Sequence, residues 1–189
     1  MSETKNDRHI SNRNRKGNTL HPLQKRIILW LAKQGLQTIN ETAQNTSSHY
    51  KATWTAFKSL KKKGLIKKQN VKEYRSRKYP QYWLTMDGLV AALKNGADLH
   101  KAKENMQDVL GKHESIDLFF ELAVALGKRN LPRFANLFEL TEQGEFKLTK
   151  LPTMRSSRAK KILKIVKKYP MFRKGVKKSA KEILDLMEE

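Results

Sequence analysis

The chain has 189 residues, enough for one or two modest domains with a true core. It contains no cysteine, which excludes disulfides and thiolate metal sites, and its longest apolar run, residues 122–126, is too short to cross a bilayer. Its 40 basic residues face 18 acidic ones, a formal charge of +22, so the expected partner is a polyanion.

Residues 1–19 are polar, without apolar periodicity, and read as a disordered basic tail; the competing reading makes Arg8, Arg13, Arg15 and Lys16 an arm along a DNA groove. The tail lacks the apolar stretch of a signal peptide or anchor, so a cytoplasmic, nucleoid-associated location is expected. The first helix is predicted to open at Pro22 behind His21, with Leu23, Ile27, Ile28 and Leu31 as its apolar face and Gln34-Gly35 as its stop. Thr38 and Glu41 form a capping-box pattern for a second helix with Ile39 and Ala43 inward. Asn45, Thr46, Ser47 and Ser48 break the period, because short polar side chains compete for backbone hydrogen bonds.

A third helix is expected from about His49 to Lys63. Thr53, Ala56, Phe57 and Leu60 fall on its inner face, and Lys51, Ala52, Thr55, Lys58, Lys61 and Lys62 on its outer one. Tyr50 and Trp54, at i and i+4, form either an exposed aromatic pair or part of the core; Trp54 is assigned to the protein side. Gly64 ends the helix, Leu65-Ile66 begins a strand, and a second strand ends at Thr85, which caps the next helix. The loop between the strands, Lys72 to Lys78, holds no glycine, and Glu73 is the one acid between Leu65 and Tyr82.

Two stretches in this region carry a resemblance. Leu60-Lys61-Lys62-Lys63-Gly64-Leu65-Ile66 is similar to the winged-helix pattern in which leucine, three polar residues and Gly-Leu-Ile lead from recognition helix to wing. One hairpin later, Tyr82-Trp83-Leu84-Thr85-Met86-Asp87-Gly88 resembles the Y-x-L-T-x-x-G ending of the second wing strand in MarR- and PadR-like prokaryotic transcription regulators. Together they cover residues 20–95. The resemblance implies a mainly α fold with a small β-hairpin: a winged helix-turn-helix over 20–97, followed by a helical C-terminal region over 98–189.

The resemblance also implies a transcription regulator on double-stranded DNA, acting as a dimer, with the start of the third helix in the major groove. The positions that correspond to base readers are Ser47, Ser48, His49, Lys51, Ala52 and Thr55. Lys58, Lys61 and Lys62 fit phosphate contacts that set register. At the wing, Arg75, Arg77 and Lys78 crowd the tip, where arginine enters a minor groove or holds phosphate. Basic residues on an edge strand also serve simply to prevent sheet pairing.

Beyond Thr85, Leu89, Ala92 and Leu93 mark a short amphipathic helix ending near Gly96, and Lys101 to Leu110 reads as a polar helix. Apolar side chains surround almost the whole of Ser115 to Leu126, which is therefore either the core of a C-terminal domain or a dimer interface; it is assigned as the homodimer contact. Asn130 and Pro132 open another helix bearing Phe134, Leu137 and Phe138. Thr141 to Thr149 reads as a loop containing a short strand at Phe146 to Leu148. Residues 147–181 carry 14 basic and no acidic side chains, with a basic helix over 156–168 and a final helix from Ser179.

No P-loop, G-x-G-x-x-G, G-x-S-x-G or H-E-x-x-H occurs, and the five histidines lack metal-ligand spacing. The sequence thus assigns no catalytic residue, no metal and no cofactor, and no ligand group for an effector stands out. Glu114, Asp117 and Glu121 read as a solvated acidic face. Three nucleic-acid readings stay open: a sequence-specific duplex regulator, a non-specific architectural or maintenance protein, and an RNA binder. The architectural reading draws on the excess of lysine over arginine, since lysine acts as a point charge rather than a bidentate reader. An enzyme comes last.

Overall fold

In the computed structural model, which describes residues 19–135, 138–140, 146–148, 164–165 and 168–169, the first helix, α1, runs Pro22–Gln34. Its start is a capping box: His21 Nδ1 accepts from the Leu23 N–H at 3.4 Å, and Gln24 Oε1 accepts from the His21 N–H at 3.2 Å. Ile27, Ile28 and Leu31 are fully buried, as their spacing predicts. A two-residue strand, β1 (Gln37–Thr38), leads into α2 (Ile39–Asn45). There Thr38 Oγ1 accepts from the Glu41 N–H at 3.2 Å, and Glu41 Oε2 accepts from the Thr38 N–H at 2.8 Å.

The third helix, α3, covers Tyr50–Lys62, with His49 and Lys63 as its caps rather than its ends. Its inner face is Thr53, Ala56, Phe57 and Leu60. The Leu-x-x-x-Gly-Leu pattern now has a physical meaning. The Leu65 N–H returns to the Leu60 carbonyl (3.0 Å) and the Gly64 N–H to the Lys61 carbonyl (2.9 Å), which is a Schellman closure. It needs φ +70° at Gly64, a left-handed conformation that glycine adopts without steric cost.

Strands β2 (Ile66–Tyr74) and β3 (Arg77–Leu84) form the hairpin, paired antiparallel from Ile66↔Leu84 to Tyr74↔Arg77 with an irregularity between Lys68 and Asn70. β1 joins the free side of β3, giving the order β1-β3-β2. Helix α4 (Met86–Lys94) then starts at Thr85, whose Oγ1 accepts from the Gly88 N–H at 3.1 Å and donates to the Gly64 carbonyl at 2.6 Å. The element order helix, short strand, helix, helix, two-stranded hairpin is that of a winged helix-turn-helix, within a mainly α fold.

Four more elements with a helical backbone follow: α5 (Leu99–Leu110), α6 (Glu114–Leu126), a 3₁₀ turn (Lys128–Asn130) and α7 (Leu131–Ala135). Strands β4 (Phe138–Leu140) and β5 (Phe146–Leu148) then pair antiparallel, so the short strand expected at Phe146 to Leu148 is present. Phe138, expected on a helix, stands instead in β4 opposite Leu148. The pairing and an edge-on contact with Phe119 (5.4 Å between centroids) hold it there.

Buried apolar side chains form one cluster from Leu20 through Ile165. Asn105 on α5 reaches across to the end of α1, donating to the Ala32 carbonyl at 3.1 Å and to the Lys33 carbonyl. The α6 side chains Ile116, Leu118, Phe119, Phe120, Leu122 and Ala123 all belong to this cluster. The expectation that α6 offers its apolar surface to a second copy is therefore corrected: that surface is covered within the chain, and Val124 alone among the large α6 hydrophobics is exposed.

The expected tail over 1–18, the loop over 141–145 and the final helix from Ser179 lie outside the described residues. So does the basic helix over 156–168 apart from Lys164, Ile165 and Lys168. Of these, Ile165 is buried and Lys164 exposed, the sides their spacing predicts. Lys168 and Tyr169 reach α6, where both bond to Glu121, Tyr169 through its hydroxyl at 2.8 Å.

Candidate nucleic-acid interface

The turn before α3 decides how that helix is presented. Ser47 holds φ +48°, the Ser48 N–H returns to the Ala43 carbonyl (2.9 Å), and Arg26 from α1 donates to the Thr46 carbonyl at 3.2 Å. The Ser48 hydroxyl lies 3.0 Å from the Thr46 hydroxyl and donates to the Thr46 carbonyl, so of the residues expected to read bases it is engaged in the turn itself. Ser47 and His49 are exposed, and His49 makes no side-chain cap bond.

Along α3, Lys51, Ala52, Thr55, Lys58, Lys61 and Lys62 are all exposed, opposite the buried stripe. Thr55 donates its hydroxyl to the Lys51 carbonyl (2.9 Å), which leaves the oxygen's acceptor capacity facing outward. Lys63 differs from its neighbours. Its Nζ donates to Gln24 Oε1 (3.1 Å), and Gln24 in turn donates to Ser59 Oγ (2.9 Å), so this lysine ties α3 to α1. An open groove of about 720 Å³ lies between the start of α1 and α3, lined by Leu23, His49, Lys51, Ala52 and Thr55 among others.

Trp54 overturns one expectation. Assigned to the protein side, it is 41% exposed, with Lys58 Nζ 4.0 Å above its ring. The core-facing stripe is already filled by Thr53, Ala56, Phe57 and Leu60, which leaves Trp54 no place inside. Tyr50, four residues earlier, is 56% exposed.

The wing tip resolves a geometry that the glycine-free loop leaves open. The turn is two residues long, Arg75 at φ +47° and Ser76 at φ +60°, between the closing pair Tyr74↔Arg77. Two consecutive positive φ values are the signature of a type I′ hairpin turn, whose twist matches that of the strands. Arg75 lies 5.2 Å from the Tyr74 ring, and Arg77 and Lys78 are exposed. Lys78 stands opposite Glu73 in the register, so it shares a face with the one acid of the hairpin.

Two contacts anchor the wing. At its root, Tyr82 meets Phe57 of α3 edge-on at 5.3 Å. Further out, Lys72 Nζ lies 2.6 Å from Glu41 Oε1 on α2. Burial raises the Glu41 pKa, but Lys72 together with the Thr38 N–H and hydroxyl outweighs it and holds the carboxyl below its ordinary value of 4.5.

The ion pairs divide the molecule. Besides Lys72–Glu41, α5 and α6 carry ion pairs: Lys101 and His100 with Glu104, Lys103 with Asp117, and Lys168 with Glu121. Lys51, Lys61 and Lys62 have no carboxylate partner among the described residues. Lys51, Lys58, Lys61 and Lys62 thus form a run of exposed cations along the outer face of α3, and Arg75, Arg77 and Lys78 a second group at the wing tip. The described residues contain no group of three or more His, Asp or Glu side chains able to hold a metal ion, and no helix long and apolar enough to cross a membrane.

No protein-family model matches the chain, and no curated protein matches it significantly. Among solved structures, a mutant of ZitR from Lactococcus lactis is similar over 61% of this chain and 78% of that one, at 19% identity and a TM-score of 0.37. The winged-helix assignment rests on the element order and strand register described above.

Proposed function

We propose that the protein is a DNA-binding transcriptional regulator that docks α3 in the major groove of double-stranded DNA and lays its wing on the adjacent backbone. The observation that carries this reading is the outer face of α3, where Lys51, Lys58, Lys61 and Lys62 stand exposed on a winged-helix frame. A major groove admits a helix of this width, and lysines without carboxylate partners are free to replace the counterions of the phosphates. In this reading Ser47, His49, Lys51, Ala52 and Thr55 meet base edges, with Ser48 holding the turn that aims them. Lys58, Lys61 and Lys62 hold phosphates, and Arg75, Arg77 and Lys78 act at the wing.

Selection from a random duplex library, followed by a salt titration, tests the proposal. Enrichment of a motif supports a regulator. Equal binding to all duplexes, collapsing with salt, replaces it with a non-specific architectural protein, a reading favoured by the absence of arginine from the outer face of α3. Substituting Lys51 and Thr55 is expected to change sequence preference, and substituting Arg75 and Arg77 to weaken all sequences alike. If both pairs behave alike, the division of roles is wrong.

A further inference from the structure

We infer that the α3–wing surface stacks the unpaired bases of a DNA strand, so that the protein engages duplex beside a single-stranded segment; this rests on the nucleic-acid reading above and narrows its ligand. The observation behind it is where the exposed rings lie. Among the described residues, the large hydrophobic side chains left exposed are Tyr50, Trp54, Val71, Tyr74, Tyr79 and Val124, and all but Val124 stand on α3 or the hairpin. Scattered exposed apolar residues are ordinary, but aromatic ones gathered on two basic elements are not.

Register places the hairpin rings together. Tyr79 pairs with Lys72, whose ammonium is held by Glu41, and Tyr74 with Arg77; alternate residues of a strand share a face, so the two tyrosines lie diagonally on one face beside Arg77. Arg75 lies against the Tyr74 ring, and on α3 Lys58 covers Trp54. Each element thus carries rings with a cation beside them, the combination that receives a base on a ring and its phosphate on a neighbouring charge.

An intact duplex presents only base edges, sugars and phosphates; the base faces are stacked and out of reach. Tyrosine and tryptophan are poor readers of edges, whereas any unpaired base offers a face to stack on. A second copy of this chain is a poor occupant of the same surface, because two such faces bring like charges together.

The test uses the full chain and three DNA probes of the same duplex sequence: blunt, with an unpaired tail of about ten nucleotides, and with that tail built of abasic sites. Charge is the same in both tails, so their affinity ratio isolates stacking. The base-bearing tail is expected to bind about tenfold or more tighter than the abasic one, with Trp54→Ala and Tyr74→Ala each reducing that ratio severalfold. Both side chains are exposed, and a thermal melt of each variant verifies folding. Equal affinity for the two tails overturns the inference, and so does a ratio that neither substitution changes. A base-dependent preference for the tailed probe without any binding to the blunt one overturns the duplex regulator and leaves the stacking of unpaired bases standing.

Discussion

At Gly88 the start of α4 passes so close to the Leu65 carbonyl that an added Cβ would lie 1.8 Å from its oxygen. The glycine of the Tyr82–Gly88 stretch is therefore a packing requirement, and its threonine is a cap joined to Gly64 and Leu65. Gly88→Ala must push α4 off the wing root, and we expect a loss of about 2 kcal/mol or more in denaturant unfolding. Stability unchanged by the substitution would mean that α4 does not seat there. Arg75 and Ser76 make the opposite case. Both hold left-handed backbone without being glycine, at a cost of about 1 kcal/mol each. Ser76→Gly should raise the melting temperature, and Arg75→Gly should raise it while weakening DNA binding, because it relieves the backbone and removes the guanidinium. A wing that is only a sheet-edge guard predicts the first effect without the second.

Between elements, the tie to watch is Lys72–Glu41, which links the wing to α2 through the same carboxylate that caps α2. The folded pKa of Glu41 lies below 4.5, so its contribution is complete above that value and is lost as pH falls through the lower, folded one. Melting curves over roughly pH 3 to 6 should therefore show stability falling toward acid, with part of that slope absent in Glu41→Gln. An unchanged slope would place the acid sensitivity elsewhere. This tie was not legible in the sequence. The capping box was, because its two partners stand three residues apart, but nothing local says that Lys72, 31 positions later, returns to the same acid. Helix starts and stops were readable at His21, Thr38, Gly64 and Thr85, each set by local hydrogen bonding. The outward turn of Trp54 was not, since an aromatic residue beside a buried stripe fits either side until the packing is known. The exposure of Tyr74 and Tyr79 needed the strand register, which the glycine-free tip did not give.

Among the described lysines, Lys101, Lys103 and Lys168 are paired with acids and Lys51, Lys61 and Lys62 are not. α6 illustrates why: periodicity showed that it must be buried, but a sequence carries no sign of whether the covering surface comes from the same chain or another, and here it comes from the same cluster as α1 and α4. With that face closed, α6 contributes acids to the outside, and one of them, Glu121, receives Lys168 from the basic C-terminal block. The Lys168 ammonium is the chief cause holding the Glu121 carboxyl low, ahead of an opposing effect of burial, and burial together with Glu121 pushes the Tyr169 phenol well above its ordinary range. A lysine so engaged has no counterion to exchange for a phosphate, whereas Lys61 and Lys62 on α3 are open to one. Each phosphate contact contributes about 0.9 to the slope of log affinity against log salt concentration, so Lys61→Gln combined with Lys62→Gln should flatten that slope by about 2. Lys168→Gln should leave the slope unchanged and lower the melting temperature slightly, as a half-exposed ion pair is worth at most about 1 kcal/mol. Equal flattening by Lys168→Gln would show that the Glu121 pair opens on binding and that DNA runs across α6 as well as α3, a footprint extending well beyond the winged helix.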